Sequence, residues 1–405
     1  MRVILQLMEK NLLFASFDVV PAPKGASTHI LQSTEALARE VAPVTLLCAG
    51  APGYLDEEIL APGVKVVRAP LPAGANFLHR IEAYQDFVRQ FLARSGGSFG
   101  FMHYRDIWSG LPILDFLDEA QGARPPLVME VNGLPSFELG YHYPAVLQNK
   151  GFVRKLRAQE CACMLAADRV LTVSPVNAVH IEGVGILRER ICVVPNGVDV
   201  ERFVPPRARA RGEREVPQLL YVGTLAPWQG VVTLLHALKK VVRERPVEVV
   251  FAGRGRKVWL KEALKLASEL KVLPYVDFRG TVSPEEVPGL VAEADLCLAP
   301  LERTRRNTRQ GCCPIKILEY MACARPFVAS DLPVVRALLP RDEAIEQFLV
   351  LPGKPGHLAE RILGLLAEER RDEVAHAAGS LRAYVAENLT WKMTNERLVD
   401  MYRNL

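Results

Sequence analysis

No apolar run in this 405-residue chain reaches the ~18–20 residues that a helix needs to cross a bilayer. The segment Arg2–Met8 is too short for the core of a signal peptide and reads as a first β-strand. Both absences point to the cytosol. The charge is nearly balanced, with a formal net of +4. That excludes an argument for nucleic acid and leaves a weak preference for anionic membrane surfaces or phosphorylated substrates. Eight cysteines are present, yet none has zinc spacing with partner histidines. Cys48, Cys192 and Cys297 lie in apolar runs and read as small core residues. Cys161 and Cys163 straddle one helical position, and Cys312 and Cys313 are adjacent. No acidic metal cluster is evident either, so no metal is expected.

What is present is enough apolar sequence for two cores. Charged residues make up 24% and apolar residues 49%, the balance of a soluble globular protein, and the length exceeds one ordinary core. The N-terminal half alternates strands at Val3–Met8, Val44–Cys48, Val64–Val67, Gly100–His103, Leu127–Val131, Val170–Val173 and Ile191–Val194 with amphipathic helices. That alternation implies a parallel sheet covered on both faces. Pro205–Val216 (PPRARARGEREV) breaks the pattern with prolines and charges and reads as a linker. The alternation then restarts at Leu219 and runs to Ser330. The expected organisation is an α/β N-terminal domain over 1–204, the linker over 205–216 and a second α/β domain over 217–388. Open parallel sheets bind ligands outside the carboxyl ends of their strands, so chemistry is expected in the loops there.

The richest of those loops is QGCCPIKILEYMACARPFVASD, from Gln310 to Asp331. Pro314 suits the first position of a helix. Gly311, Cys312 and Cys313 then place backbone N–H groups at the positive end of its dipole, a common anion cradle. Lys316 falls in the first turn, where the dipole disfavours a cation, and Glu319 shares its face. A bound anion would account for that lysine; a solvated lysine on an ordinary helix is the alternative. A second window, ICVVPNGVDVERF from Ile191 to Phe203, is a short strand followed by a Pro-Asn-Gly turn.

With the two windows, and YVGTLAPWQG from Tyr221 between them, the chain resembles the family 4 glycosyltransferases over nearly its whole length. The family implies a GT-B fold of two facing Rossmann-like domains. It also implies a last helix, here residues 389–405, that crosses back to the first domain. The implied activity is retaining transfer of a hexose-type sugar from a nucleotide-diphosphate sugar to a glycan or lipid-linked acceptor, as in polysaccharide or glycoconjugate biosynthesis. No cofactor and no protein nucleophile are implied. Two rivals stand beside it: a GT-B nucleotide-sugar epimerase, and a nucleotide-sugar-binding pseudoenzyme that partners another transferase.

The sequence departs from the family pattern at its donor site. Members commonly carry Arg directly after the glycine at position 223 and Lys five residues later, both gripping pyrophosphate. Here those positions are Thr224 and Gln229. The first of the family's two glutamates is replaced by Gly311, whereas Glu319 matches the second and is implied to bind the nucleotide ribose. Lys316 is the best-placed substitute cation, with Arg303, Arg305, Arg306 and Arg309 as helpers. Gly223 opens the loop, and Arg254 stands in a loop that the family places near the base.

In the N-terminal half, PAPKGAST from Pro21 to Thr28 matches the family loop approaching donor phosphate, with Gly25 allowing close approach, Lys24 adding charge and Ser27 or Thr28 capping the helix. Asn132, in MEVNGLPSFE, takes the place of a family histidine that touches the transferred sugar; Glu130 and Glu138 are near it. His103 and Arg105 sit at a strand end and are candidates for the acceptor side, although a structural histidine accounts for His103 equally well. Lys150, Arg154, Lys155 and Arg157, interleaved with Phe152 and Leu156, read either as a solvated helix face or as a contact with the inner face of an anionic membrane.

Overall fold

The computed structural model describes residues 10–120, 124–205 and 216–405. The chain divides into two compact units, Met1–Pro195 with Thr394–Leu405 and Asn196–Met393.

The first unit is built on an eight-stranded sheet. Its strands are β1 (Asn11–Val19), β2 (Val44–Ala49), β3 (Glu57–Ala61), β4 (Val64–Ala69), β5 (Phe99–Tyr104), β6 (Leu127–Val131), β7 (Arg169–Thr172) and β8 (Ile191–Val193). They lie in the order β3-β4-β2-β1-β5-β6-β7-β8, and every pairing is parallel except β3 with β4. Alternation along β1 shows why both faces are covered. Leu13 and Ala15 enter one core with Leu47, Met102 and Met129. Leu12 and Phe14 enter the other with Leu46, Phe101 and Val128. The helix Trp391–Arg403 adds Leu398, Val399 and Tyr402 to that second core. Burying a large apolar side chain stabilises by about 1.5–3 kcal/mol, so these three account for the docking of the chain's last turns.

Two strands differ from expectation. The strand expected at Val3–Met8 lies outside the described residues, and the central strand is Asn11–Val19, whose Asn, Ser and Asp masked an otherwise apolar run. The edge strand Glu57–Ala61 has adjacent glutamates and a largely exposed Ile59, which is tolerable only because it lacks an outer neighbour.

The second unit carries a six-stranded parallel sheet of β9 (Gln218–Val222), β10 (Glu248–Ala252), β11 (Val276–Gly280), β12 (Leu296–Ala299), β13 (Phe327–Ser330) and β14 (Leu349–Val350). The order is β11-β10-β9-β12-β13-β14. The Pro-Asn-Gly turn belongs to this unit, because Asn196 bonds to Cys313 and Val198 pairs with Thr390. The chain therefore changes unit at Pro195, ahead of the expected linker, of which residues 206–215 lie outside the described residues.

Candidate active site

Each unit gathers polar side chains at the carboxyl ends of its central strands. In the second unit three loops meet: the one after β9, the one after β10, and the segment from Pro300 to the helix Ile315–Ala322. Close approach is made possible by glycine. Gly253 (φ +145°) passes so near Gly223 that a Cβ on it would lie 2.1 Å from the Gly223 carbonyl oxygen. A Cβ on Gly223 itself (φ +135°) would stand 2.9 Å from Lys316 Nζ.

Lys316 is buried. Its Nζ donates to Gln229 Oε1 at 2.9 Å and lies 4.2 Å from the centre of the Tyr221 ring. Burial pulls its pKa down to about 7, against the pull of Glu319 and Cys312. Glu319 is pushed up to about 7, again by burial, with Lys316 and Arg202 opposing. Glu319 keeps part of its surface open, so its shift is the more easily relieved by solvent. The ammonium thus rests beside the very side chain that occupies the family's lysine position.

The neighbouring residues fix this arrangement. Tyr221 donates its hydroxyl to the Thr224 carbonyl at 2.6 Å, which folds the loop after β9 over the lysine; the Thr224 side chain is exposed. Asn307 is fully buried and donates to the carbonyls of Trp228 and Glu302. Arg306 stacks on Trp228 with its guanidinium 5.1 Å from the ring centre, while Arg303, Arg305 and Arg309 are exposed, as is Arg254. Gly311 directly follows the turn Arg306–Gln310. Cys312 is half-buried, with its sulfur 3.9 Å from Asn307 Oδ1. Cys313 is buried, and its sulfur and carbonyl accept from the backbone and side chain of Asn196 at 3.3 and 3.0 Å. The two sequence windows singled out separately are therefore in direct contact. Pro314 precedes the helix as its cap rather than forming its first residue; its ψ of 97° is extended.

In the first unit, Asp18 ends β1, Arg105 follows β5 and Glu130 lies in β6. Arg105 bridges both acids, donating Nε to Glu130 Oε1 at 2.8 Å and reaching Asp18 Oδ2 at 3.1 Å. Asp18 also pairs with Lys24. Burial works against charge on Asp18, yet Lys24 and Arg105 hold its carboxyl below the usual range. Burial likewise opposes ionisation of Glu130, but Arg105 and His29 hold it well below.

These contacts correct part of the expected acceptor side. His103 is wholly buried rather than lining a surface: it stacks on Phe14 with ring centres 4.2 Å apart, and its Nδ1 lies 2.7 Å from the Tyr402 hydroxyl. Burial pulls its pKa down, which keeps the ring neutral. Arg105 is also buried, its charge spent on Glu130 and Asp18. Neither Ser27 nor Thr28 caps the first helix. It begins at Gly25, and Ser27 Oγ instead accepts from the Ala22 N–H at 2.8 Å, closing the loop on itself. Gly25 remains exposed at the helix start, and Asn132 and Glu138 are half-buried. Asp18, His29 and Tyr402 were not expected; the acid in an otherwise apolar strand was a legible signal for Asp18 alone, since His29 and Tyr402 come from helices.

Two α/β units, each on a largely parallel sheet, give this chain the GT-B fold of its structural neighbours. Residues 24–197 match the glycosyl transferase 4-like domain and residues 216–368 the glycosyl transferases group 1, and the chain belongs to the family 4 type of these enzymes. The phosphatidyl-myo-inositol mannosyltransferase of Mycolicibacterium smegmatis is 26% identical over 395 residues, spanning 96% of this chain and 92% of the relative. Among solved structures, a sucrose-phosphate synthase from Thermosynechococcus elongatus superposes with a TM-score of 0.81 at 18% identity, over 98% of this chain and 99% of that one. Anabaena HepE in complex with UDP and glucose gives 0.73 at 17% identity, over 98% and 100%. Among the described residues, no helix is long and apolar enough to cross a membrane.

Proposed function

We propose that this enzyme transfers a hexosyl group, with retention, from a nucleotide-diphosphate sugar to a lipid-linked acceptor bearing phosphate. The observation that carries the donor side is the buried Lys316 ammonium at the carboxyl edge of the second sheet, held on Gln229 within reach of the loop after β9. A pyrophosphate arriving there replaces a neutral amide partner with an anion. In the transfer, the bond from the anomeric carbon to the phosphate oxygen breaks and a bond to the acceptor oxygen forms on the same face. The acceptor's proton passes to the departing phosphate. Lys316 stabilises the charge that develops on that phosphate, an electrostatic contribution that grows toward the transition state. Glu319 accepts hydrogen bonds from the ribose hydroxyls, and Asn132 touches the transferred sugar.

The acceptor side is supported by the relative whose name specifies mannosyl transfer to phosphatidyl-myo-inositol, and HepE supports a UDP-sugar as the other donor to test. Exposed Lys150, Arg154, Lys155 and Arg157, with exposed Leu147 and Tyr143 just before them, suit the anionic surface that would present such a lipid. The experiment is a mass-spectrometric assay of the purified chain with GDP-mannose or UDP-glucose, with and without vesicles containing phosphatidylinositol. A product heavier than the lipid by one hexose is expected. Donor binding without transfer to any lipid extract would reject the lipid acceptor.

A further inference from the structure

Glu130 has no exposed surface, yet it is the most heavily contacted acid of the first unit. Its Oε1 receives Arg105 Nε at 2.8 Å and His29 Nε2 at 2.9 Å, and the Asn132 side-chain amide closes on the same oxygen. Its Oε2 faces His103 Nε2 at 3.2 Å, but off-line, so neither atom completes a hydrogen bond. A carboxylate held ionised can only accept, so whichever atom of Asn132 meets it must be the NH₂ group. The other end of the same amide, Oδ1, is buried and has no hydrogen-bond partner. An orphaned buried acceptor of this kind is destabilising if nothing ever satisfies it.

We propose that Glu130 is a positioning residue: it captures the Asn132 amide N–H, and so leaves Oδ1 as the unpaired acceptor that a hydroxyl of the bound sugar satisfies. The ligand group at this point is thereby specified as a hydrogen-bond donor, which a carbonyl, a carboxylate or a deoxygenated carbon cannot replace. Arg105 extends the same control to the neighbouring loop, since it ties Glu130 to Asp18 and Asp18 holds Lys24. Tyr402 closes the other side. With a carboxylate facing Nε2, the His103 proton belongs on that nitrogen, and Nδ1 accepts from the Tyr402 hydroxyl. The inference rests on the proposed transfer for the nature of its ligand, but the orientation of the amide does not depend on it.

The test has one arm without substrate. In protein labelled with ¹⁵N at asparagine, the Asn132 side-chain amide should give a shifted, slowly exchanging signal, assigned by its loss in Asn132→Ala. In Glu130→Gln, whose side-chain carbonyl can hold the amide only weakly, the signal should move toward the free-amide position. In the transfer assay, Asn132→Ala should lower kcat up to about tenfold, the scale of one neutral hydrogen bond, with donor KM little changed. Glu130→Gln and Asn132→Ala together should lose no more than the worse single variant, because both remove one interaction. Should Glu130→Gln not fold, Asn132→Asp serves: facing Glu130 it sets carboxylate against carboxylate and should be worse than Asn132→Ala. Additive losses, an unmoved amide signal in Glu130→Gln, or an Asn132→Asp enzyme as active as Asn132→Ala would each overturn the assignment. A correct amide signal in a protein that transfers no sugar would leave the orientation standing and remove the proposed transfer instead.

Discussion

Lys316 Nζ meets Gln229 Oε1 at 2.9 Å, so the ammonium of the helix Ile315–Ala322 stands at a neutral side chain of the loop after β9. This placement brings a cation from one segment of the second unit to another. It also puts that charge in a helical first turn, against the dipole, and beneath enough protein to lower its pKa to about 7. A pyrophosphate bound there, as proposed, would offset both penalties.

Replacing Lys316 with methionine should therefore lower turnover by roughly 10²–10³-fold, the scale for one electrostatic donor to a developing charge. Donor binding should weaken less. Adding Gln229→Lys to that variant should recover part of the loss, because the two positions converge. Steady-state kinetics with a parallel binding titration would check both, and near-normal turnover in Lys316→Met would sink the role.

Donor binding should also depend on pH with a definite sign. With Lys316 near 7 in the free protein, binding a pyrophosphate favours the ammonium and takes up a proton above that pH. Affinity for GDP or UDP should therefore fall as pH rises from about 7 to 9, and calorimetry in buffers of different ionisation heat should register proton uptake. In Lys316→Met that uptake should vanish. The same depressed value means that the unliganded fold carries a penalty for this lysine below pH 7 that fades as pH rises toward its ordinary range. Glu319, pushed up to about 7, has the opposite sense: its penalty is absent below its unfolded value near 4.5 and grows as pH rises to 7.

Glu319→Gln keeps the shape of the side chain and removes its charge. Nucleoside-diphosphate affinity should drop by about 1.5–3 kcal/mol, the range for hydrogen bonds to a charged group, with thermal unfolding unchanged or improved because a buried charge is gone. Unchanged affinity by calorimetry would separate Glu319 from the ribose.

Asn307→Ala should destabilise the second unit by about 1–3 kcal/mol, since it removes two hydrogen bonds of a fully buried amide, to the carbonyls of Trp228 and Glu302, each of which keeps one backbone N–H donor. Denaturant unfolding would measure it. A shift below a few tenths of a kcal/mol would mean that water or a local rearrangement replaces both bonds.

Much of the second site was legible because it lies in short contiguous motifs. Gly311 to Glu319 are eight residues apart, and the dipole argument about Lys316 needs only the helix they begin. The first site was legible only in part. Asn132 stands in the loop where the resemblance places a sugar-contacting histidine, while His103 and Arg105 are acceptor-side candidates from their place at a strand end, with a structural histidine equally open for His103. In the folded unit Glu130 and Asp18 draw Arg105 inward, and Tyr402, 299 residues away from His103, covers the ring.

The periodic alternation of apolar strands and amphipathic helices pointed to two largely parallel sheets covered on both faces, but it did not show the antiparallel edge pair β3 and β4 or the central strand Asn11–Val19. Local chemistry placed helix starts only approximately: neither Ser27 nor Thr28 caps the first helix, which begins after Lys24, and Pro314 precedes its helix instead of opening it. Which charges are paired was decided only by tertiary structure. Whether Glu130 is a surface acid or a buried hub depends on Arg105 and His29 arriving from two distant segments to join its near neighbour Asn132. Burial then amplifies each pairing by removing the water that would otherwise screen it.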